Sequence, residues 1–246
     1  MNPAKPHQPI IATPEPTKVE GQIKYYADLI QGSDEWVSAR CGLLTASEMK
    51  LIITPTLKIA RNDKEWAHLD ELLAQRITGY VEPHYIGDNM LRGYEDEVLA
   101  RHIYSEKYAP VQEIGFITNS RFGFTIGYSP DGLVGDDGLI ECKSRRQKFQ
   151  VDTITNGKIP DEYVIQIQTG LMVSGREWLD FISYSGGLPM VTIRAYSDPV
   201  VQDAIFEAAR SFEAKLAEKL AKYQRALKSN SRLIPTERRV EVEMFV

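Results

Sequence analysis

Apolar residues recur every three or four positions in several segments of the chain, which is the spacing of amphipathic helices. The longest stripe runs from Pro199 to about Leu227 and predicts a single long C-terminal helix. Thr45 and Glu48 have the spacing of a capping box, so Ser47 is expected in the first turn of a helix. Further helices are predicted at about residues 34–40, 66–77, 90–108 and 160–174.

The middle of the chain contains short segments rich in aromatic and β-branched residues, which is the pattern of strands. Gly135–Gly138 has turn chemistry, so the segments on its two sides, 131–134 and 139–144, are expected to form a hairpin. Further strands are predicted at residues 111–117, 122–128, 178–184 and 191–196. One helix, which begins at Pro160, is expected to interrupt the sheet, and the fold class is therefore mixed α/β.

The composition is that of an ordinary globular chain, because 43% of its 246 residues are hydrophobic. Five of the thirteen prolines lie in the first sixteen residues, where no helical or strand period is found. We therefore expect a mobile N-terminal arm over residues 1–20 and a single domain over residues 21–246. No segment has the ~18 apolar residues of a membrane span, and the N-terminus does not resemble a signal peptide. We expect no membrane association and a cytoplasmic location.

Charge and cysteine content exclude two classes of nucleic-acid-binding protein. The formal net charge of −5 argues against a protein that coats nucleic acid through bulk positive charge. Two cysteines, Cys41 and Cys142, and four scattered histidines cannot supply a four-ligand zinc site or an iron–sulfur cluster. Zinc-finger readers and cluster-bearing nucleases are therefore excluded, and the two thiols are expected to be reduced.

Three charged residues converge on the predicted hairpin. Asp131 and Glu141 lie on opposite arms, and the return of the hairpin brings the two carboxylates close together. Glu141 and Lys143 are two positions apart on one strand and therefore share a face. Carboxylate oxygens beside a cation suit Mg²⁺ or Mn²⁺ and a phosphodiester substrate. The alternative is that Asp131 is a turn residue, while Glu141 and Lys143 form an ion pair on a solvated strand.

The hairpin sequence resembles a known nuclease motif. Ser129–Gly132 together with Glu141–Lys143 resembles the PD-(D/E)xK motif, specifically that of the lambda exonuclease and YqaJ-type viral recombinase family. Other segments that resemble the family, in the family's order, are 31–36, 40–42, 45–48, 92–100 and 166–168. The resemblance implies a restriction-endonuclease-like α/β domain, in which a central mixed sheet is flanked by helices. The long C-terminal helix is added to this core.

The resemblance also implies a metal site. Two Mg²⁺ ions, for which Mn²⁺ can substitute, would be held by Asp131, Glu141 and the backbone carbonyl of Cys142. Glu97 matches an acidic residue that lies on a helix in the family site. The alternative for Glu97 is a surface ion pair with Arg101, four positions along the same helix.

Five further residues receive roles by the same resemblance. Lys143 would position and help to activate the attacking water, and Gln166 would support the site, although an ordinary polar residue on an amphipathic helix has the same pattern. Arg40, Ser47 and Ser129 match the residues that hold the terminal 5′-phosphate of DNA, and an arginine fork with two hydroxyls suits an anion. A surface arginine and two capping serines are the alternatives.

A basic run follows the motif lysine. Arg145 and Arg146, together with Lys143 and Lys148, are candidates to follow a DNA backbone, but a solvated loop has the same pattern. The family commonly has a proline shortly after its lysine, whereas this chain has Ser144 followed by the two arginines. The path of this loop is therefore not predicted by the resemblance.

The function implied by the resemblance is Mg²⁺-dependent digestion of one strand of linear double-stranded DNA in the 5′ to 3′ direction. The product would carry 3′ single-stranded overhangs for recombination. A ring-shaped homotrimer on double-stranded DNA ends and a single-strand-annealing recombinase as partner are implied in the same way. The alternatives are a PD-(D/E)xK endonuclease or RecB-like nuclease module, and a non-catalytic DNA-binding subunit on the same fold.

Overall fold

The computed structural model describes residues 21–83, 87–229 and 232–238, and the predicted arm of residues 1–20 lies outside these ranges. The strands are β1 (Ile23–Tyr26), β2 (Leu44–Thr45), β3 (Phe116–Asn119), β4 (Ile126–Tyr128), β5 (Gly132–Val134), β6 (Gly138–Ser144), β7 (Trp178–Tyr184) and β8 (Val191–Tyr196). The helices are α1 (Asp34–Arg40), α2 (Asp63–Thr78), α3 (Asp88–Lys107), α4 (Gln147–Asn156), α5 (Asp161–Ser174) and α6 (Pro199–Ser229).

The described strands form two mixed sheets of four strands each. In the first, of order β1-β3-β4-β2, β3 is antiparallel to β1 and β4, and β2 is parallel to β4. In the second, of order β5-β6-β7-β8, β6 and β7 are parallel and the outer pairs are antiparallel. The predicted mixed α/β class is confirmed, and the sheet is divided into two parts.

The second sheet and helix α5 have the predicted bounds to within one residue. The hairpin of β5 and β6 forms as expected, and β7 and β8 begin and end at the predicted residues. Pro160 is the N-cap of α5, and Gly175 ends that helix with a left-handed φ of 71°. The C-terminal helix α6 has 31 residues, and no helix within the described ranges is long and apolar enough to cross a membrane.

Helix α4 is not predicted, so two helices rather than one separate β6 from β7. Its apolar residues Phe149, Val151 and Ile154 are between 39% and 48% exposed, whereas Gln150 and Thr153 are buried. The side chain of Gln150 donates to the carbonyls of Ser183 and Pro189, which attaches the helix to the end of β7 by hydrogen bonds. A polar buried face produces no apolar stripe in the sequence.

The prediction of a capping box at Thr45 is wrong. Thr45 belongs to β2 and pairs with Gly127 of β4, so its backbone is committed to a sheet. Its hydroxyl donates to the carboxylate of Glu48 over 2.6 Å, and only a 3₁₀ helix of three residues follows, Met49–Leu51. Ser47 therefore lies in a turn before this 3₁₀ helix and not in the first turn of an α-helix.

Strands β3 and β4 are shorter than predicted and lie further along the chain. Gln112, at the start of the strand predicted over residues 111–117, forms an isolated antiparallel bridge with Leu133. This residue of the predicted strand therefore pairs with β5 of the second sheet and not with the first sheet. Phe122 and Phe124 pack their rings against Phe206 of α6, with centroid distances of 6.1 Å, and do not extend β4. The aromatic residues at the start of the predicted strand therefore pack against a helix. An alternating apolar pattern does not distinguish such packing from the pairing of strands.

Strand β6 lies between two hydrophobic clusters and sets the direction of the functional side chains. Leu139 belongs to the main cluster, which also contains the buried face of α6, while Ile140 and Cys142 belong to a smaller cluster with Ala100 of α3. Because side chains alternate along a strand, Glu141 points to the same side as Leu139. It is 2% exposed, so its carboxylate is held inside the protein.

Candidate active site

The β5–β6 hairpin brings Asp131 beside the residue that follows Glu141. Gly132 is opposite Ile140 in the register, and the backbone N–H of Asp131 donates to the carbonyl of Ile140 over 3.2 Å. The Oδ2 atom of Asp131 accepts the N–H of Cys142 at 2.5 Å. Both carboxylates of the predicted motif therefore lie at one end of the hairpin.

Three donors orient the Glu141 carboxylate. Its Oε1 atom accepts the ammonium of Lys143 at 2.6 Å and the amide of Gln166 at 2.5 Å. Its Oε2 atom accepts the hydroxyl of Tyr128 at 2.8 Å. The structure thus brings Lys143 and Gln166 to Glu141, and it adds Tyr128, which the sequence analysis does not single out. Tyr128 lies one residue before Ser129 of the motif segment, and its buried position depends on the sheet.

Negative charge exceeds positive charge in this buried site. Burial, followed by the charges of Glu141 and Glu97, raises the pKa of Asp131 well above its usual range. Burial also raises the pKa of Glu97, with the ammonium of Lys143 opposing the shift. Burial disfavours the charge of Lys143, but Glu141 and Asp131 outweigh it and raise the pKa of the ammonium. The ammonium of Lys143 and the guanidinium of Arg101 therefore compensate three carboxylates only in part.

The candidate ligands of this site are oxygen atoms, which hard divalent cations prefer. Asp131, Glu141 and Glu97 would offer carboxylate oxygens, and the backbone carbonyl of Cys142 would add a neutral oxygen. Over the described ranges, no three acidic, histidine or cysteine side chains are placed so that they could hold a metal ion. Mg²⁺ usually keeps several waters and binds through one or two carboxylates and substrate phosphate, so it does not require three protein side chains.

The contacts of Arg101 bear on the alternative for Glu97. Its guanidinium donates to the carbonyl of Asp131 over 3.1 Å and pairs with Glu113 over 3.3 Å. Arg101 is thus engaged with the backbone of the motif aspartate and with Glu113. Glu97 interacts electrostatically with Lys143 and Glu141 of the hairpin and, more weakly, with Arg101, so its surroundings include both the candidate site and the partner of the alternative.

A second polar cluster surrounds Arg40. Its guanidinium donates to the hydroxyl of Ser129 over 3.2 Å and to that of Thr45 over 3.4 Å, and it stacks on the ring of Trp36 at 4.2 Å. The Thr45 hydroxyl lies 3.3 Å from that of Ser47. Arg40, Ser47 and Ser129 are therefore brought together, and Thr45 links them. The capping-box interpretation assigned the Thr45 hydroxyl to a helix end and so missed it.

The guanidinium of Arg40 is held mainly by neutral partners. Burial lowers its pKa, and the charge of Glu48 opposes this shift. Its hydrogen-bond partners in this cluster are two hydroxyls; that of Thr45 donates to Glu48, whereas that of Ser129 can donate to an anion. The cluster is therefore suited to a phosphate group. Ser129 belongs to it and is separated from Asp131 by Pro130 alone, so the two clusters adjoin.

The two arginines predicted to contact DNA differ in their surroundings. Arg146 is exposed at the N-cap of α4. Arg145 is only 8% exposed, and its guanidinium donates to Glu162 over 2.6 Å and to the hydroxyl of Tyr163 over 2.7 Å. Arg145 is therefore engaged within the protein, and its predicted contact with a DNA backbone stays a prediction. The acidic and aromatic partners that bury it lie on α5, beyond the basic run.

Gly170 of α5 allows the close approach that orients Tyr128. A Cβ atom at Gly170 would lie 2.7 Å from the Tyr128 ring. We expect Gly170→Ala to displace this ring and to lower the free energy of unfolding by about 1–3 kcal/mol, as overpacked cores do. The matched control is Gly93→Ala in α3, where a Cβ meets nothing within 4 Å. Its expected effect is a gain of up to about 1 kcal/mol.

Urea unfolding of both variants measures these effects. A loss of stability in Gly93→Ala as large as that in Gly170→Ala would show that the contact with Tyr128 is not the cause. If the site hydrolyses phosphodiesters as the motif implies, Gly170→Ala should also lower this activity. The substitution displaces Tyr128, whose hydroxyl donates to Glu141.

Comparison with known proteins shows the family of this chain. The model of the YqaJ-like viral recombinase domain matches residues 35–177, which is more than half of the chain and includes every candidate site residue. The chain belongs to the YqaJ-like viral recombinase domain family. The family predicted from the motifs is thereby confirmed. Comparison with curated proteins gives no match.

A solved structure matches the YqaJ-like chain over most of its length. The alkaline exonuclease from Laribacter hongkongensis is 33% identical, with a TM-score of 0.71 over 80% of this chain and 98% of that one. Its complex with dAMP is 34% identical, with the same TM-score and coverage. These matches confirm the PD-(D/E)xK exonuclease fold and support a nuclease of the exonuclease class.

Proposed function

We propose that this YqaJ-like protein is a metal-dependent exonuclease that digests one strand of linear double-stranded DNA from the 5′ end. The observation that carries the proposal is the contact of Arg40 with Ser129, two positions before Asp131. An anion-binding cluster next to the carboxylate site suits a substrate with a terminal phosphate beside the bond to be cleaved. Digestion in the 5′ to 3′ direction leaves 3′ single-stranded overhangs for recombination.

Two Mg²⁺ ions are the proposed cofactors, and Mn²⁺ substitutes for them. Asp131, Glu141, Glu97 and the carbonyl of Cys142 would hold the ions, which would supply Lewis-acid activation of water and stabilisation of the leaving oxygen. The protein's own contribution is positional and electrostatic. Lys143 carries the positive charge closest to Glu141 and orients the attacking water.

Gln166 and Tyr128 have a different role in this proposal. Each donates a hydrogen bond to one oxygen of Glu141, so the plane of the carboxylate is set before any substrate binds. A preset carboxylate requires little reorganisation during the reaction, which is how enzymes obtain electrostatic stabilisation of charge.

The substrate proposal also draws support from the structural relative. The alkaline exonuclease from Laribacter hongkongensis was crystallised with dAMP, a deoxynucleoside monophosphate. We propose double-stranded DNA ends as the partner of this chain, a homotrimer ring as its assembly and a single-strand-annealing recombinase as a protein partner. We further propose that it acts in the cytoplasm, which is the host cytoplasm if the chain is encoded by a phage.

Digestion of a linear duplex tests the proposal. Each strand is labelled in turn at its 3′ end, and the 5′ ends carry either a phosphate or a hydroxyl. The proposal expects progressive loss of the strand with the 5′-phosphate and persistence of its complement. A closed circular duplex is the control, because an endonuclease cuts it and an exonuclease does not. Cleavage of the circle would favour the endonuclease alternative.

Substitution of Arg40 tests the phosphate cluster. We expect Arg40→Ala to slow digestion of 5′-phosphorylated ends by about 10- to 100-fold, because a charge-assisted contact to the phosphate is lost. The rate on 5′-hydroxyl ends should change far less, since that substrate lacks the group. Rates of both substrates are measured at saturating Mg²⁺. An equal loss on both ends would assign Arg40 to general backbone binding or to folding.

A further inference from the structure

Arg145 connects the end of β6 to the first turn of α5. Its backbone N–H donates to the carbonyl of Tyr184 over 2.7 Å, which fixes the residue at the end of β7. One terminal nitrogen of the guanidinium donates to both Glu162 and Tyr163, and its carbon atom lies 5.2 Å from the Tyr163 ring centroid. The Nε atom is buried without a hydrogen-bond partner. The charge therefore faces α5 and not the solvent.

The first two turns of α5 supply one group each to the site. The ring of Tyr163 lies 5.8 Å from the ammonium of Lys143 and packs against Phe181 of β7 at 5.3 Å. Gln166, one turn after Glu162, donates to Glu141. A movement of these turns would therefore change the surroundings of Lys143 and the hydrogen bond to Glu141 together.

The partners of Arg145 on α5 stabilise its charge. Burial disfavours the charge of the guanidinium, but its bonds with Glu162 and Tyr163 outweigh that cost and raise the pKa of Arg145. Removing Glu162 would leave the buried guanidinium without its acidic partner. Glu162 is mostly exposed, with 61% of its side chain accessible, so it can be changed without opening the core.

We propose that Arg145 is a positioning residue for DNA hydrolysis, which holds the first turn of α5 so that Tyr163 packs over Lys143 and Gln166 reaches Glu141. This inference rests on the proposed nuclease function. It replaces the predicted DNA contact of Arg145 with an internal role, while Arg146 remains a candidate for the DNA backbone.

Steady-state kinetics separate the two roles of Arg145. We expect Glu162→Gln and Arg145→Gln to lower kcat by about 10- to 100-fold, as a small misplacement of reacting groups does, with KM for DNA within about twofold. The surface control Arg210→Gln, on α6, should leave both constants unchanged. A phosphate contact would instead raise KM and weaken its dependence on salt by about 0.9 in logarithmic slope. That result for Arg145→Gln would overturn the proposal.

A double-mutant cycle tests whether the effect passes through Gln166. Glu162→Gln should lower kcat by a smaller factor in the Gln166→Ala background than in the unmodified protein, because one of the two groups that this turn positions is gone. A merely structural role predicts the full loss in both backgrounds. Additive effects would therefore overturn the proposed positioning of Gln166.

Hydrogen exchange gives a result that does not require activity. We expect faster exchange over residues 160–170 in Glu162→Gln and Arg145→Gln than in the unmodified protein, with no change in Arg210→Gln. Unchanged exchange would overturn the proposal. If the unmodified protein does not degrade DNA, the proposed function fails, and exchange still decides whether Arg145 holds α5.

Discussion

Asp131→Asn and Glu141→Gln should each lower the rate of DNA hydrolysis by at least about 10³-fold without unfolding the protein. Both changes keep the shape of the side chain and remove the charge that would hold the metal ions. Lys143→Ala is expected to abolish activity as well, because it removes the ammonium beside Glu141. Rates on a 5′-phosphorylated duplex, together with circular dichroism of each variant, measure the effect.

Asp180→Asn is the matched control for these substitutions. Asp180 is also a buried carboxylate, on the neighbouring strand β7, and it accepts hydrogen bonds from Tyr104 and Arg194 outside the site. Its loss should cost about 1–3 kcal/mol of stability and leave hydrolysis at low temperature unchanged. Cleavage by Asp131→Asn at close to the unmodified rate would refute the proposed active site.

The sequence predicts the hairpin and its carboxylates because local rules determine both. Four residues with turn chemistry fix the register of β5 against β6, and the register fixes which side chains meet. The register therefore places the carboxylate of Asp131 against the backbone N–H of Cys142, which directly follows Glu141. Strands β7 and β8 are predicted for the same reason, since each is a continuous pattern bounded by glycine or proline.

Long-range contacts account for most of what the sequence does not predict. Thr45 has a capping pattern, yet its strand pairs with Gly127, which is distant in the chain. Arg145 belongs to a run of cations, yet the partners that bury it lie 17 and 18 residues further on. Local patterns identify residue chemistry, but exposure depends on which segments pack together.

The junction of the two polar clusters follows from a single short segment. Tyr128 orients Glu141, Ser129 contacts Arg40, and Asp131 reaches Cys142, all within four consecutive positions. Because β4 ends at Tyr128 in the first sheet and β5 begins at Gly132 in the second, this segment crosses between the sheets. The site therefore forms where the two sheets meet, and a change in either sheet is expected to disturb it.

Hydrolysis of DNA by this protein is expected to depend strongly on the divalent metal that is present. Mg²⁺ or Mn²⁺ should support hydrolysis, EDTA should abolish it, and Ca²⁺ should allow DNA binding without cleavage. Ca²⁺ accepts oxygen ligands but prefers bonds of ~2.3–2.6 Å and flexible coordination, against ~2.0–2.1 Å and near-octahedral geometry for Mg²⁺. The water that Lys143 is proposed to orient would then be misplaced. Parallel assays of DNA retention and cleavage in each metal measure this difference.

Thermal unfolding tests the same site without a substrate. Burial and like charges raise the pKa of Asp131, so a bound cation should relieve the repulsion and raise the melting temperature of the protein. Mg²⁺ and Ca²⁺ should both produce this increase, because both neutralise charge even though only one supports hydrolysis. The increase should be much smaller in Asp131→Asn, which lacks the charge. Rapid turnover in EDTA, or equal stabilisation of Asp131→Asn, would contradict a metal site at Asp131 and Glu141.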